Sequence, residues 1–279
     1  MIIRASKYSN TQELFRKLKI LKVAPLLIFL LRQGNAFSQS ATVHDYNQLG
    51  WYQLNVNIDF HKHWGWHGDY NQRYEKIGKD LFQRLFRTGV VYKPNEALQF
   101  HAGYVWVENQ SYGDFPMDTQ GFRFNEHRIY QSAYFQHKTG HLELRHRVVA
   151  EQRWLERKLT NGQDRAEQYS FANRARYQLR LQYSFRKSLS VRKYPFIAAY
   201  DEVLVSFGKS IKNKNFDQNR IGFLAGYKFN KSSQLEIGYI YIKQQLQRKY
   251  QDKDIMLHNN VFQLNLISTI SVGQKKSGT

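Results

Sequence analysis

The chain has 279 residues, with 42 Lys and Arg against 22 Asp and Glu, a net charge of +20 and 15% aromatic residues. Its 42% hydrophobic content excludes a disordered basic tail, and the absence of cysteine excludes disulfides, thiolate metal sites and cysteine nucleophiles. The basic residues are spread along alternating segments instead of forming one stripe, which argues against nucleic acid as a partner.

Residues 1–38 have the order of a secretory signal peptide. A basic segment that contains Arg4 precedes the apolar run 23–31, and Ala36-Phe37-Ser38 gives a small-x-small cleavage pattern. The apolar run is shorter than the roughly 20 residues that a membrane-spanning helix needs. The sequence therefore predicts a signal peptide over 1–38 and a secreted chain over 39–279.

The rest of the chain is dominated by segments in which apolar and polar residues alternate, the period expected of strands with one apolar and one polar face. The clearest pair flanks the turn Asn230-Lys231-Ser232-Ser233. In chain order the segments are 52–61, 64–73, 81–92, 98–107, 126–136, 142–154, 171–185, 194–207, 216–229, 235–242 and 256–270. The segment 81–92 mixes the two parities, which predicts a bulge.

The number of strands follows less directly from this pattern. The segments above make an odd number, whereas single-chain bacterial barrels have an even number of strands. We therefore expect 10–12 strands. Twelve is favoured, with a short additional first strand within 41–48.

The connections between the segments fall into two alternating classes. Short connections lie near 61–63, 93–97, 138–140, 186–193 and 230–234, and longer ones near 75–80, 108–124, 156–168, 208–215 and 246–255. Short periplasmic turns that alternate with long outer loops are typical of outer-membrane barrels. The segments also exceed the roughly 5–6 residues of a typical strand and reach the about 9–11 that cross a bilayer. The predicted fold is all-β, a transmembrane up-and-down antiparallel β-barrel in the outer membrane of a Gram-negative cell.

Several motifs, in order along the chain, carry a resemblance to a known family. They are Glu126-His127-Arg128-Ile129-Tyr130-Gln131, His146-Arg147 with Glu151-Gln152-Arg153, Asp201-Glu202, and Phe216-Asp217-Gln218-Asn219-Arg220-Ile221 with Gly226-Tyr227-Lys228-Phe229. Over roughly 50–270 the chain resembles outer-membrane barrels of Bacteroidota-type bacteria, domain-of-unknown-function family 2490. The resemblance implies a barrel and a compartment but no activity. The chain departs from many such barrels because it does not end on an aromatic residue.

Arginine is concentrated on the polar faces of two sequential segments. Arg145, Arg147 and Arg153 share one face, and Arg174 and Arg176 share a face of the next segment. Since these strands should pair, their guanidiniums would project into the barrel, where an unpaired charge is costly. The predicted lumen charge cluster is Glu126, Arg128, Glu143, Arg145, Arg147, Glu151, Arg153, Arg174, Arg176, Arg180, Glu202 and Arg220.

This cluster has two interpretations. A packed Arg–Glu network would plug and rigidify a small barrel, whose interior is filled by side chains. A net-positive lumen would instead favour anions. The expected function is an outer-membrane envelope protein, structural or anion-preferring and channel-like, with an unknown ligand. The alternative is an outer-membrane lipid-modifying hydrolase, but the chain lacks the His-x-Ser pairing of such enzymes, so no catalytic residue is predicted.

The remaining motifs predict no metal and no cofactor. His61, His63 and His67 have ligand-like spacing, but the segment crosses a turn without a fixed carboxylate, so a solvated turn is the interpretation. Gly222 and Gly226 are interpreted as strand glycines that ease curvature or allow close packing. The expected partners of a monomeric barrel are the barrel-assembly machinery and outer-membrane lipids, including lipopolysaccharide. Its phosphates could meet the loop lysines Lys209, Lys212, Lys214 and Lys243, but solvated loop charge is the favoured interpretation of these lysines.

Overall fold

The computed structural model describes residues 41–117, 121–157, 168–186, 188, 193–208, 211 and 215–272. The predicted signal peptide and the lysines at 209, 212 and 214 lie outside these residues. Within the described ranges, no helix has the length and hydrophobicity that a membrane span needs. The strands are β1 (Thr42–Asp59), β2 (Trp64–Glu75), β3 (Asp80–Tyr92), β4 (Leu98–Asn109), β5 (Phe124–Thr139), β6 (Leu142–Arg157), β7 (Gln168–Ser184), β8 (Tyr194–Phe207), β9 (Phe216–Lys228), β10 (Ser233–Tyr250) and β11 (Lys253–Ser271).

These eleven strands form one closed barrel, so the favoured number of twelve is wrong. Each strand pairs antiparallel with its sequence neighbour, and β1 closes the barrel by pairing parallel with β11. An odd number of up-and-down strands requires this parallel pair, because the first and last strands then run in the same direction. The segment 41–48 is not a separate strand, since β1 pairs with β11 without interruption from Thr42 to Asp59.

The connections define two ends of the barrel. The long-loop end carries 76–79, 110–123, 158–167, 208–215 and 251–252, and the short-turn end carries 60–63, 93–97, 140–141, 185–193 and 229–232. The long loop predicted at 246–255 is wrong. Gln251 and Asp252 form a two-residue turn with φ of 48° and 59°, the left-handed values of a type I′ hairpin.

The outward face of the barrel is apolar on every strand. In the hairpin at 216–242, the alternation predicts that the apolar face points outward and the polar face lines the lumen, and the structure has Phe223 and Ile237 exposed outside and Arg220 and Glu236 buried inside. Exposed outward side chains, one from each strand in turn, are Leu54, Tyr70, Phe86, Phe100, Ile129, Val148, Leu181, Ile197, Phe223, Ile237 and Phe262. The same strands direct mainly polar side chains inward, so the usual arrangement of a globular protein is inverted.

Register shifts in the strand pairs bring additional side chains into the interior, on β3, β9 and β10. The predicted bulge in 81–92 is confirmed, because the β2–β3 register shifts between Arg73 and Tyr74 and leaves both Phe82 and Gln83 buried. A second shift, opposite Leu204 and Val205, leaves Asp217 and Gln218 both buried on β9. The second bulge adds a carboxylate to the lumen that strict alternation would have placed outside.

The two strand glycines allow close packing, one of the two roles expected of them besides curvature, because each lies under an aromatic ring. A Cβ on Gly222 would meet the ring of Tyr200 at 2.3 Å, and one on Gly226 would meet Phe196 at 2.2 Å. No side chain fits beneath either ring, so the aromatic groups of β8 pack directly on the backbone of β9.

Candidate functional site: the charged lumen

The inward faces of the strands enclose a cavity of about 1100 Å³. Its lining runs from Glu156 and Arg248 near the long-loop end to Lys93, Lys138 and Lys228 near the short-turn end. Cationic side chains outnumber anionic ones along this lining. The cavity is therefore polar, continuous over much of the barrel length and positively charged.

The middle of the lumen holds a belt of arginines and carboxylates, here called the arginine belt. Its guanidiniums are those of Arg128, Arg147, Arg153, Arg174, Arg176 and Arg220, and its carboxylates are Glu126, Glu151, Glu202 and Asp217. All four carboxylates are buried, and burying a charge stabilises a fold only when partners compensate its lost hydration. The belt provides those partners from β5, β6, β7 and β9.

Every carboxylate of the belt serves more than one guanidinium. Glu202 accepts from Arg147 and Arg176 at 2.7 Å and from Arg220 at 3.4 Å. Glu151 accepts from Arg174 Nε at 2.6 Å and from Arg176 Nη1 at 3.1 Å. Glu126 and Asp217 are shared in the same way. The belt contains more guanidiniums than carboxylates, so it carries more positive than negative charge.

A second group of charges lies towards the short-turn end. Arg145 pairs with Glu143, and Arg180 donates to Glu236 at 2.7 Å. All twelve predicted lumen residues lie on the inner face. Nine of them meet in the arginine belt, whereas Glu143, Arg145 and Arg180 form this separate group. A functional role for the cluster stays a prediction.

Several lumen charges were missing from the prediction. Asp69, which pairs with Arg87 at 3.4 Å, shares the inward parity of Asn71, so alternation alone could have indicated it. Glu236 was left out of the predicted charge cluster, although the polar face to which it belongs was expected to line the lumen, where it lies. Asp217 has the opposite parity to Arg220 and reaches the lumen only through the bulge on β9.

Arg73 differs from the arginines of the belt because no carboxylate pairs with it among the described residues. Its Nη1 donates to Gln83 Oε1 at 2.6 Å, and its guanidinium lies 3.9 Å from the ring centre of Trp51. The guanidinium of Arg220 lies 5.3 Å from the same ring. The indole of Trp51 therefore lies within cation–π distance of two guanidiniums, one from β2 and one from β9.

The segment 110–117, here called the inward loop, folds into the barrel at the long-loop end. Tyr112 lies in an apolar cluster, with its ring centre 4.3 Å from that of Phe82, and Phe115 and Met117 pack against the cluster. The Tyr112 hydroxyl accepts from Asn259 Nδ2 at 3.3 Å, and burial raises the pKa of Tyr112 to about 12. The inward loop therefore fills part of this mouth of the lumen.

Polar contacts hold the inward loop in place. The Asp114 N–H donates to Asp45 Oδ2 at 3.2 Å, and Arg248 Nη2 donates to the Pro116 carbonyl at 2.8 Å. Gly113, directly before Asp114, has φ of 66°, and a Cβ there would meet Asn47 Oδ1 at 2.6 Å. Glycine is required at this position both for its backbone conformation and for the close approach.

The histidines of the 61–67 segment do not meet in one site. The ring centres of His61 and His63 are 6.1 Å apart at the exposed turn, and His63 Nδ1 lies 2.8 Å from the Lys93 carbonyl. His67 faces the lumen beside Asp69. In the part of the chain that the structure describes, no group of three or more His, Cys, Asp or Glu could hold a metal ion. The hydrolase alternative has no residue assigned to it and stays a prediction.

Comparisons with known proteins give a family but no activity. A family model described as a protein of unknown function (DUF2490) matches residues 48–253. Among solved structures, the chain is similar to the β-domain of the Bordetella autotransporter BrkA, with 11% identity and a TM-score of 0.39. That similarity covers 65% of this chain and 78% of the other. No curated protein matches.

Proposed function

The chain belongs to the DUF2490 family, and we propose that its barrel spans a Gram-negative outer membrane and has a channel-like lumen that prefers anions. The apolar outward face supports the membrane location. Large hydrophobic side chains are exposed on all eleven strands, which is unfavourable in water and favourable in lipid. Closure supports it as well, because a closed barrel satisfies the backbone hydrogen bonds of its strands without water.

The single observation that carries the anion preference is the positive surplus in the lumen. The carboxylates of the arginine belt are already shared between guanidiniums, so further compensation has to come from solution. A surplus of cationic side chains in a confined cavity raises the local concentration of anions from solution and excludes dissolved cations.

The same geometry supports a narrow pathway. The arginine belt ties β5, β6, β7, β8 and β9 together across the interior, and the inward loop fills part of the mouth at the long-loop end. A braced lumen with a partly filled mouth fits small anions better than large solutes. The belt thereby contributes both rigidity and charge.

Reversal potentials in planar bilayers under a KCl gradient test this proposal. The purified barrel should select chloride over potassium. The double variant Arg145→Glu with Lys228→Glu reverses two charges on the cavity lining outside the belt, so it should shift selectivity towards potassium. Lys243→Glu reverses an outward-facing exposed charge and serves as the matched control. Cation selectivity of the unmodified barrel, or equal shifts in the lumen and control variants, would refute the proposal.

The expected partners follow from the proposed location in the outer membrane. We expect a monomeric barrel that the assembly machinery inserts and that contacts outer-membrane lipids, including lipopolysaccharide. Lys243, predicted as a loop lysine, instead lies within β10, and its exposed outward position supports contact with anionic lipid groups. Heat-modifiable gel mobility of the detergent-solubilised protein should accompany this state.

A further inference from the structure

Beyond the arginine belt, one row of the lumen has hydrogen-bond donors that lack acceptors. Trp51, Arg73, Gln83 and Asn109 are consecutive register partners across β1, β2, β3 and β4. All four line the cavity. This set is here called the donor row.

Hydrogen bonds within the donor row use the amide oxygens of its members. Arg73 Nη1 donates to Gln83 Oε1, and Gln83 Nε2 donates to Asn109 Oδ1 at 2.5 Å. The indole N–H of Trp51, the Nε–H of Arg73 and the Nδ2 of Asn109 are buried and have no acceptor in the described part of the chain. Trp51 is 8% exposed and Asn109 is 1% exposed, so these donors cannot be satisfied simply by bulk water.

The surrounding charge favours an anion at the donor row. The charged groups that act most strongly on Arg73 are four other guanidiniums, those of Arg220, Arg128, Arg176 and Arg87. Among the described residues no carboxylate forms an ion pair with Arg73, although the carboxylates of the arginine belt lie in the same lumen. A cation held among like charges with unused donors beside it is compensated best by a bound anion.

We propose that the donor row, completed by Arg220 across the Trp51 ring, is a binding site for a tetrahedral oxyanion of the phosphate class. The donors come from several strands, and a tetrahedral oxyanion accepts hydrogen bonds from several directions, whereas a carboxylate accepts in one plane. Free phosphate and a phosphate monoester share this chemistry. The inference deepens the proposed function and rests on it, because it gives the anion-preferring lumen a selective site.

Calorimetric titration of the detergent-solubilised barrel tests the site without a bilayer. The titrants are inorganic phosphate, glycerol 3-phosphate as a soluble monoester, and acetate as a planar anion. We expect phosphate to bind more tightly than acetate. Binding of both phosphate compounds would indicate that one ester substituent fits the cavity, and binding of inorganic phosphate alone would identify the free ion as the ligand.

Two variants and one control assign the binding to the donor row. Arg73→Gln should weaken phosphate binding by about tenfold or more, since a charge-assisted hydrogen bond is lost. It should fold, because the guanidinium that it removes forms no ion pair among the described residues. Trp51→Phe keeps an aromatic face but lacks the N–H, and should weaken binding by about threefold or more. Arg145→Gln removes the same charge from the same cavity outside the donor row and should change affinity by less than about twofold.

The outcomes separate this site from the proposed channel. Phosphate binding that depends on Arg73 and Trp51, in a barrel without anion selectivity in bilayers, would support the site and refute the channel. An anion-selective barrel that does not bind phosphate, or one whose binding falls equally in Arg73→Gln and Arg145→Gln, would overturn the site.

Discussion

Glu202 is the carboxylate that binds half of the guanidiniums of the arginine belt. Arg147 of β6, Arg176 of β7 and Arg220 of β9 all donate to it, and it is 2% exposed. A buried carboxylate with three guanidinium partners links four strands through one side chain. Its removal leaves three cations facing one another in a low-dielectric interior.

We predict that Glu202→Gln lowers the free energy of unfolding by about 3–5 kcal/mol, the typical cost of breaking a buried ion pair from one side. Urea unfolding in detergent, followed by tryptophan fluorescence, measures this change. Glu96→Gln at the exposed turn before β4 is the control and should change stability by less than about 0.5 kcal/mol. Equal effects of the two variants would mean that the belt contributes no stability.

Tyr112 gives a pH dependence that belongs to the inward loop. Because burial raises the pKa of Tyr112 to about 12, against about 10 in an unfolded chain, folding favours the neutral phenol. Its stabilising contribution is therefore complete below pH 10 and is lost as the pH rises through about 12. Absorbance titration at the phenolate band, taken as the difference between the unmodified protein and Tyr112→Phe, should show this midpoint. A difference titration centred near pH 10 would indicate a solvated ring.

At the scale of elements, the inward loop is the part of the barrel most sensitive to one small substitution. Gly113→Ala combines a strained left-handed backbone with a Cβ that meets Asn47 and Asp45 within 2.7 Å. We expect the loop to leave the mouth of the barrel. In the cysteine-free chain, the rate of maleimide labelling of Met117→Cys should then rise by about tenfold or more.

Gly140→Ala is the matched control for this variant. Gly140 also has a left-handed backbone, with φ of 58°, but a Cβ there would meet no atom within 4 Å. It lies in the short-turn end, away from the inward loop. If Gly140→Ala accelerated labelling as much as Gly113→Ala, general loosening of the barrel would explain the result.

Alternation in the sequence predicted the strands well where they pair without bulges and where inward and outward side chains alternate strictly. The hairpin at 216–242 has the predicted inner and outer faces because period two depends only on local sequence. Asp217 was missed because a bulge opposite β8 changes its side of the sheet. The inward loop was also missed, since it is held by Asp45, Asn259 and Arg248, which lie far away in the sequence.

At the scale of the molecule, barrel closure was the least predictable feature. Alternation predicts where strands are but not which strand pairs with the first, so the preference for an even number of strands misled the prediction. The parallel pairing of β1 with β11 follows from closing a barrel that has an odd number of strands. The concentration of charge in the lumen was predictable, because it follows from parity on β6 and β7 once those strands are adjacent.

A cross-link tests the closure directly. Gln48 and Asn260 are outward-facing register partners on β1 and β11. Gln48→Cys with Asn260→Cys should form a disulfide on mild oxidation, because paired Cα atoms in adjacent strands fall within disulfide distance. Gln48→Cys with Leu266→Cys is the control, since Leu266 faces outward further along β11 and pairs with Leu54. A twelfth strand between β1 and β11 would prevent the first cross-link.

Lumen charge is the feature that connects the residues, the strands and the proposed function. The arginine belt and Arg73 together bring more positive than negative charge into a cavity whose outer wall is apolar. In the proposed membrane-inserted state, this surplus is costly unless anions enter the lumen. We therefore expect anions to occupy the lumen beside these guanidiniums.

Anomalous diffraction from crystals of the barrel soaked in bromide tests that claim most directly. We predict bromide peaks inside the lumen, around Arg73 and the arginine belt. Crystals that bind bromide on the outer surface or loops, with none in the lumen, would contradict it.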